Sequence, residues 1–212
     1  PVHKHVESLI ELMLQVFNSL DIKLLFWVHQ NISNPILDWL MPVITNQNNW
    51  IIPVLILIFY LGFNADKRGR ITLTILLISI IAVDSISAQI LKPFFERIRP
   101  SHVYAEELNL LVSKGGPWSM PSNHAANVFA LAVVLSYFYE KVKIPLFILA
   151  WIIAFSRIYV GVHYPGDVFV GGILGYGLAW IILTLWVILK MRELKRGRTW
   201  AWYQGQPPKS IL

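Results

Sequence analysis

The chain contains no cysteine. Disulfides and thiolate metal sites are therefore excluded, and the redox compartment is left open. Charge is scarce as well: Asp, Glu, Lys and Arg make up 14% of the 212 residues, against about 25% in a typical soluble domain. Apolar residues, at 56%, take the place of that charge. A soluble protein of 24.3 kDa has too little polar surface to cover so much apolar area, so the excess needs an apolar solvent, and lipid is the obvious one. A secretory signal is missing too: the first twenty residues show no basic segment followed by an apolar core and a small-residue cleavage site. Pro1 predicts that an initiator Met, or more, precedes this sequence. The length is that of one domain, with or without peripheral helices.

Nine Trp and eight Tyr fit the same picture, because amphipathic rings favour the membrane–water boundary. A net charge of +6 raises nucleic acid as a partner. The basic residues, however, fall between apolar blocks rather than among aromatics, which is the pattern of membrane-protein loops.

A bilayer core about 30 Å thick takes about 20 helical residues to cross. Ile71–Leu91, Ser122–Phe138, Ile144–Val160 and Val168–Leu189 are predicted spans, and the shorter Asn49–Phe63 is a fifth. Ser8–Ile32 carries Glu11, Asp21, Lys23 and His29; Leu9, Leu12, Met13 and Val16 recur at helical spacing within it. That predicts an amphipathic helix in the interface, with a sixth, imperfect span as the alternative. The expected fold is all-α, a polytopic membrane bundle of five to six transmembrane helices. Its expected parts are N-terminal amphipathic helices over 1–48, a catalytic domain over 49–190 and a basic tail over 191–212.

Lys67, Arg68 and Arg70, then Lys141 and Lys143, then Lys190, Arg192, Lys195, Arg196 and Arg198 fall on one side if the spans alternate. The positive-inside rule makes that side cytoplasmic. The loop 92–120 and the turn 161–166 then lie on the other side, and every motif of chemical interest lies there with them.

The first motif runs from Lys92 to Pro100. The residue before a proline resists the α conformation, so the span is predicted to end near Lys92 and a short helix to start at Pro93. Lys92 and Arg99, about two turns apart, would share a face and suit a phosphoryl group; snorkelling anchors are the plainer reading. The second motif, Pro121-Ser122-Asn123-His124, opens a helix with Ser122 as N-cap, and its free amides make an anion site. A plain cap beside an interfacial histidine explains it equally well. The third holds Ser156-Arg157 and His163-Tyr164-Pro165-Gly166-Asp167. Arginine offers a fork of donors to phosphate oxygens, and Asp167 would cap the next helix while orienting His163. An ordinary capped turn is the alternative.

Taken together the order K-x6-R-P, P-S-N-H, S-R-x5-H-x3-D resembles the signature of the type 2 phosphatidic acid phosphatase superfamily. The resemblance covers Lys92 to Asp167, and Asn123 stands where the family usually has glycine. It implies a membrane lipid phosphatase in which His163 attacks phosphorus to form a phosphohistidine and Asp167 orients it. His124 would serve as acid and then base, with Lys92, Arg99 and Arg157 neutralising the oxygens and Ser122 and Asn123 adding donors. No metal or other cofactor is implied. The partners implied are the bilayer and a lipid phosphate, with undecaprenyl diphosphate expected first. Phosphatidylglycerol phosphate, phosphatidic acid and lipid A phosphates are the alternatives. Transfer of phosphate to another lipid, and a lipid-binding protein with a silent site, compete with hydrolysis; the larger, soluble vanadate-dependent haloperoxidases share the motifs but not the membrane character. The expected location is a bacterial inner membrane with the site facing outward; oligomeric state is not legible.

Overall fold

The computed structural model describes residues 2–204, with side chains from residue 11 onward. The side chain of Leu9 and the last eight residues of the basic tail lie outside the described part.

The described residues are mostly helical, and they form no strand longer than an isolated bridge. Helix α1 (Val2–Asn31) leads into α2 (Pro35–Thr45), which starts at Asn34, whose side chain accepts the amides of Ile36 and Leu37. A 3-10 turn joins α2 to α3 (Ile51–Phe59), which continues through a π-turn over Tyr60–Asn64. Helix α4 (Asp66–Ser85) passes through a second π-turn (Ile86–Leu91) into α5 (Lys92–Phe95). After the short α6 (Pro100–Val103) come α7 (Asn123–Phe138), α8 (Lys143–Tyr159) and α9 (Pro165–Lys195).

Among the described residues three helices are long and apolar enough to cross a membrane: Asp66–Phe95, Glu140–Tyr159 and Pro165–Lys195. A fourth candidate is the pair Pro35–Thr45 and Gln47–Asn64, bent by 64°. The expected fifth span over 49–63 lies within the second member of that pair, which is long enough to cross only together with Pro35–Thr45. The bend falls at Asn46, whose backbone is extended and whose side-chain oxygen takes the Asn48 amide, so the chain is capped and restarted rather than continued. The predicted 122–138 span is a helix of 16 residues, shorter than a full crossing. Large apolar side chains point outward around the bundle, among them Ile52, Phe63, Ile81, Ile144, Phe169 and Leu185. The chain is a multi-pass membrane protein.

The break expected at Lys92 is absent. Proline lacks an N–H and crowds the carbonyl four residues back, but here the preceding turn is wide. Its bonds reach the fifth residue, as from the Lys92 N–H to the Ser87 carbonyl, and the helix passes Pro93 intact. It stops instead after Phe95, where Glu96 takes a left-handed conformation (φ 44°).

Helix α7 is the axis of the bundle, with Ala125, Ala126, Ala130, Ala132 and Val134 buried. It belongs to two apolar clusters. One joins it to α4 and α9 through Ile75, Val83, Ala179 and Leu183. The other joins it to α8 and to Leu25 and Val28 of α1. Contact between α7 and α9 is backbone to backbone. A Cβ on Gly171 would lie 2.5 Å from the Ser122 carbonyl oxygen, and one on Gly175 would fall inside the Ala126 carbonyl. Gly172 faces Phe129, whereas Gly177 has open space beside it.

The basic groups gather at one end. Lys67 donates to the Thr199 carbonyl at 2.8 Å, Arg68 lies 4.4 Å over the Tyr139 ring, and Lys190 faces Trp202 and Tyr203. The motif residues occupy the other end.

Candidate active site

Four chain segments converge at that second end. The left-handed turn at Glu96 sends the chain into a short antiparallel pairing of 97–99 with 117–119. Ile98 bridges Trp118, the Ser119 amide donates to the Arg97 carbonyl at 2.7 Å, and the Arg99 amide donates to the Pro117 carbonyl at 3.0 Å. Lys92 and Arg99 therefore share no helical face. They meet across the pairing: Lys92 Nζ and Arg99 Nε reach the same Trp118 carbonyl, at 3.5 and 3.1 Å.

Helix α7 starts against α9, because the Ser122 amide donates to the Asp167 carbonyl at 3.0 Å. Ser122 stands at the N-cap position but makes no side-chain cap bond, and its buried hydroxyl has no protein partner. His124 Nε2 is also buried and unpartnered. This imidazole lies within electrostatic reach of Arg157, His163, Arg99 and Lys92.

The Asn123 side chain is committed to a neighbouring helix. Both ends of its carboxamide bond to the α4–α5 helix: Nδ2 donates to Asp84 Oδ1 at 3.0 Å, and Oδ1 accepts from Ser87 Oγ at 2.7 Å. Asn127 adds a second donor to Asp84 at 3.0 Å. Only the Asn123 backbone amide remains for an anion. Asp84 is thus satisfied from α7, not by Ser85, Ser87, Gln89 or a motif cation.

Helix α8 delivers Arg157, which is buried; its Nη1 donates to Thr45 Oγ1 on α2 at 2.6 Å, and its Nε has no protein partner. The chain then reverses at Gly161. Its φ of +77° is open to glycine at no steric cost, and a Cβ would meet Leu110 at 2.8 Å. The reversal places the Val162 and His163 amides on the Arg157 carbonyl, both at 3.2 Å, so Arg157 and His163 are fixed to one another through the backbone.

His163 is 1% exposed and Asp167 fully buried. His163 Nδ1 lies 3.5 Å from Asp167 Oδ2 and 3.4 Å from Ser119 Oγ, which leaves Nε2 as the nitrogen for attack. Asp167 is not the N-cap of α9; Tyr164 is, and Asp167 caps from within the first turn by accepting the Tyr164 amide at 2.8 Å. The same oxygen accepts the Ser119 hydroxyl. Its other oxygen accepts from Arg97 Nη1 at 2.8 Å. Burial pushes His163 down to about 4, against the opposing pull of Asp167. The imidazole is therefore neutral near pH 7, with its lone pair free.

The structure thus brings Lys92, Arg99, Ser122, His124, Arg157, His163 and Asp167 to one end of the bundle. Sequence reasoning missed Arg97, Ser119, Thr45 and Asp21. Arg97 was available inside the first motif, and a carboxylate such as Asp21 within an apolar helix is itself a signal that a partner exists.

Comparison with known proteins agrees with the geometry. A lipid A 4'-phosphatase of Bacteroides thetaiotaomicron is 28% identical over 176 residues, covering 80% of this chain and 78% of that protein. The undecaprenyl-diphosphatase BcrC of Bacillus subtilis is 30% identical over 135 residues, covering 64% and 67%. The crystal structure of Aquifex aeolicus LpxE superposes with a TM-score of 0.65 at 31% identity, over 78% of this chain and 95% of that one. The profile of the PAP2 superfamily matches residues 72–190, more than half of the sequence, and the chain belongs to that superfamily.

Proposed function

We propose that this PAP2 lipid phosphatase removes a phosphate from a lipid A-type glycolipid through a phosphohistidine on His163. The observation that carries the chemistry is the buried imidazole held beside Asp167, with Arg99 and Arg157 near it and Lys92 near His124. His163 Nε2 attacks phosphorus, the bond from phosphorus to the lipid oxygen breaks, and His124 gives its proton to that oxygen. Water then attacks the phosphohistidine while His124 takes a proton from that water; the P–N bond breaks and inorganic phosphate leaves. Lys92, Arg99 and Arg157 stabilise the charge on the transferring group, together with Ser122 Oγ and the Asn123 amide. Fixed cations in this role make turnover independent of a divalent metal.

The substrate class rests on the extent of similarity. The lipid A 4'-phosphatases of Bacteroides thetaiotaomicron and Porphyromonas gingivalis each match over 80% of the chain, whereas the BcrC match covers 64%. This favours lipid A over undecaprenyl diphosphate, the lipid expected first from the motifs. The site opens to the outer face of the inner membrane, with the basic end cytoplasmic by the positive-inside rule. Five spans, counting α7 and the bent pair, complete the bundle. Residues 49–190 form the catalytic domain, 1–48 an N-terminal segment with α1 in the interface, and 191–212 a basic tail.

The test is phosphate release in EDTA by detergent-purified wild type and His163→Ala on lipid A, undecaprenyl diphosphate, phosphatidylglycerol phosphate and phosphatidic acid. Release by wild type alone, fastest on lipid A, is expected. Faster release from undecaprenyl diphosphate would return the substrate to the first expectation. Equal release by both proteins would remove His163 as nucleophile, and none by either would favour phosphotransfer or a silent site.

A further inference from the structure

The family match begins at residue 72, yet a residue of α1 lies one contact away from the orienting carboxylate. Asp21 is 4% exposed, the only described carboxylate of α1 drawn into the bundle, and Oδ2 sits 2.6 Å from Arg97 Nη2. Arg97 in turn donates through Nη1 to Asp167 Oδ1 at 2.8 Å. Its guanidinium carbon lies over the Tyr164 ring, 4.0 Å from the ring centre, and Nη2 also reaches Asn18 Oδ1 at 3.0 Å. Asp21 grips the far side of the same turn as well: Oδ1 accepts the Gly166 amide at 2.7 Å. A Cβ on Gly166 would lie 2.7 Å from Asp21 Oδ2, so glycine is what admits this carboxylate.

We propose that Asp21 is a positioning residue of the site: α1 clamps Arg97 and the 163–167 turn together, and so fixes Asp167 and the tautomer and direction of His163. Asp167 has four donors to satisfy, Arg97, Ser119, the Tyr164 amide and His163, and the carboxylate plane is set by where they stand. Arginine is a long, rotamer-rich side chain, and the 97–99 segment holds only its backbone. Asp21 and the Tyr164 ring remove the freedom of its head. Without the clamp the guanidinium can swing away, Asp167 can turn to follow it, and Nδ1 of His163 loses its fixed acceptor. An imidazole with mixed tautomers presents the wrong nitrogen part of the time, which is the loss an orienting carboxylate prevents. The contacts to a phosphoryl group come from other residues, so binding is left intact.

The inference rests on His163 as nucleophile, and its test is arranged to separate the two. Wild type, Asp21→Ala, Asp21→Asn and Arg97→Lys are purified in detergent and compared for thermal melting, for kcat and KM on lipid A or the panel lipid that wild type hydrolyses fastest, and by 15N NMR of histidine-labelled protein, with His163→Gln assigning the resonance. The expected result is a fall in kcat of about tenfold or more in Asp21→Ala and Arg97→Lys, with KM within about threefold. Asp21→Asn, which keeps an acceptor for the Gly166 amide, recovers part of kcat. In the NMR spectrum wild-type His163 is protonated at Nδ1, and Asp21→Ala mixes the tautomers. Unchanged kcat, KM and melting rising and falling together, or an unchanged His163 resonance would each overturn the proposal. If wild type hydrolyses none of the lipids, the proposed function fails, and the NMR comparison still decides the clamp.

Discussion

The carboxamide of Asn123 donates to the carboxylate of Asp84 at 3.0 Å, locking the first turn of α7 to the helix that carries Lys92. Where the family usually has glycine, this chain has a residue that fastens two walls of the site together.

Asn123→Gly should keep turnover within about threefold on the best lipid, because the carboxamide contacts no motif cation. It removes two hydrogen bonds and leaves Asp84 with Asn127 alone, so a loss of about 1–3 kcal/mol is expected. Chemical denaturation and the four-lipid panel measure the two effects. A large loss of activity with unchanged stability would place Asn123 in substrate contact instead.

Acid should be tolerated far below the usual histidine range. His163 attacks as the neutral base, and burial lowers its proton affinity to about 4. As pH falls through 6.5 a solvated imidazole would protonate, but this one does not until pH nears 4. The acid limb of kcat/KM is therefore expected well under 6.5, in the range where circular dichroism shows the protein folded. A limb at 6.5 or above would mean that His163 is solvated before substrate enters.

Thr45→Val removes the acceptor of Arg157 Nη1 and leaves that guanidinium with fewer fixed bonds. Arg157 is aimed by this contact from α2, so KM should rise several-fold while kcat falls less. Kinetics on the preferred lipid would show it; a change in neither constant would mean that the backbone alone aims Arg157.

The contact between α7 and α9 offers a matched pair. Gly175→Ala drives a methyl into the Ala126 carbonyl and should cost about 1–3 kcal/mol, lowering activity as His124 shifts relative to His163. Gly177→Ala meets nothing and should be neutral or gain up to about 1 kcal/mol from helix propensity. Melting of the two variants side by side is the measurement.

The motif residues were legible because their chemistry sits in short strings with fixed spacing: Lys92 to Arg99, Ser122 to His124, Arg157 to Asp167. Their supports were not, since each is a contact between distant segments. Ser119 reaches Asp167 because the short pairing of 97–99 with 117–119 folds the 101–120 loop back, and no periodicity announces such a pairing. Helix α2 was hidden by Asp38 and Pro42, which interrupt an apolar run, although Asn34-Pro35 marks a helix start. Asp21 stands among the charges of Ser8–Ile32, and nothing near it in sequence names Arg97 as its partner. Proline misled in the other direction: Pro93 promised a break that the wide turn before it made unnecessary.

That wide turn over Ile86–Leu91 amounts to one surplus residue threaded into an otherwise regular rod. Asp84 lies before it and Lys92 after it, so it sets the angle between the residue that holds α7 and the residue that faces the phosphoryl group. Deleting one residue from this stretch would restore an ordinary α-helix and turn everything beyond it by about 100°. Lys92 would then swing toward lipid with its charge intact, and the chain would keep every motif residue yet no longer present them to a common point. Spelling and phase are separate requirements here, and the second is written in six residues that carry no motif at all.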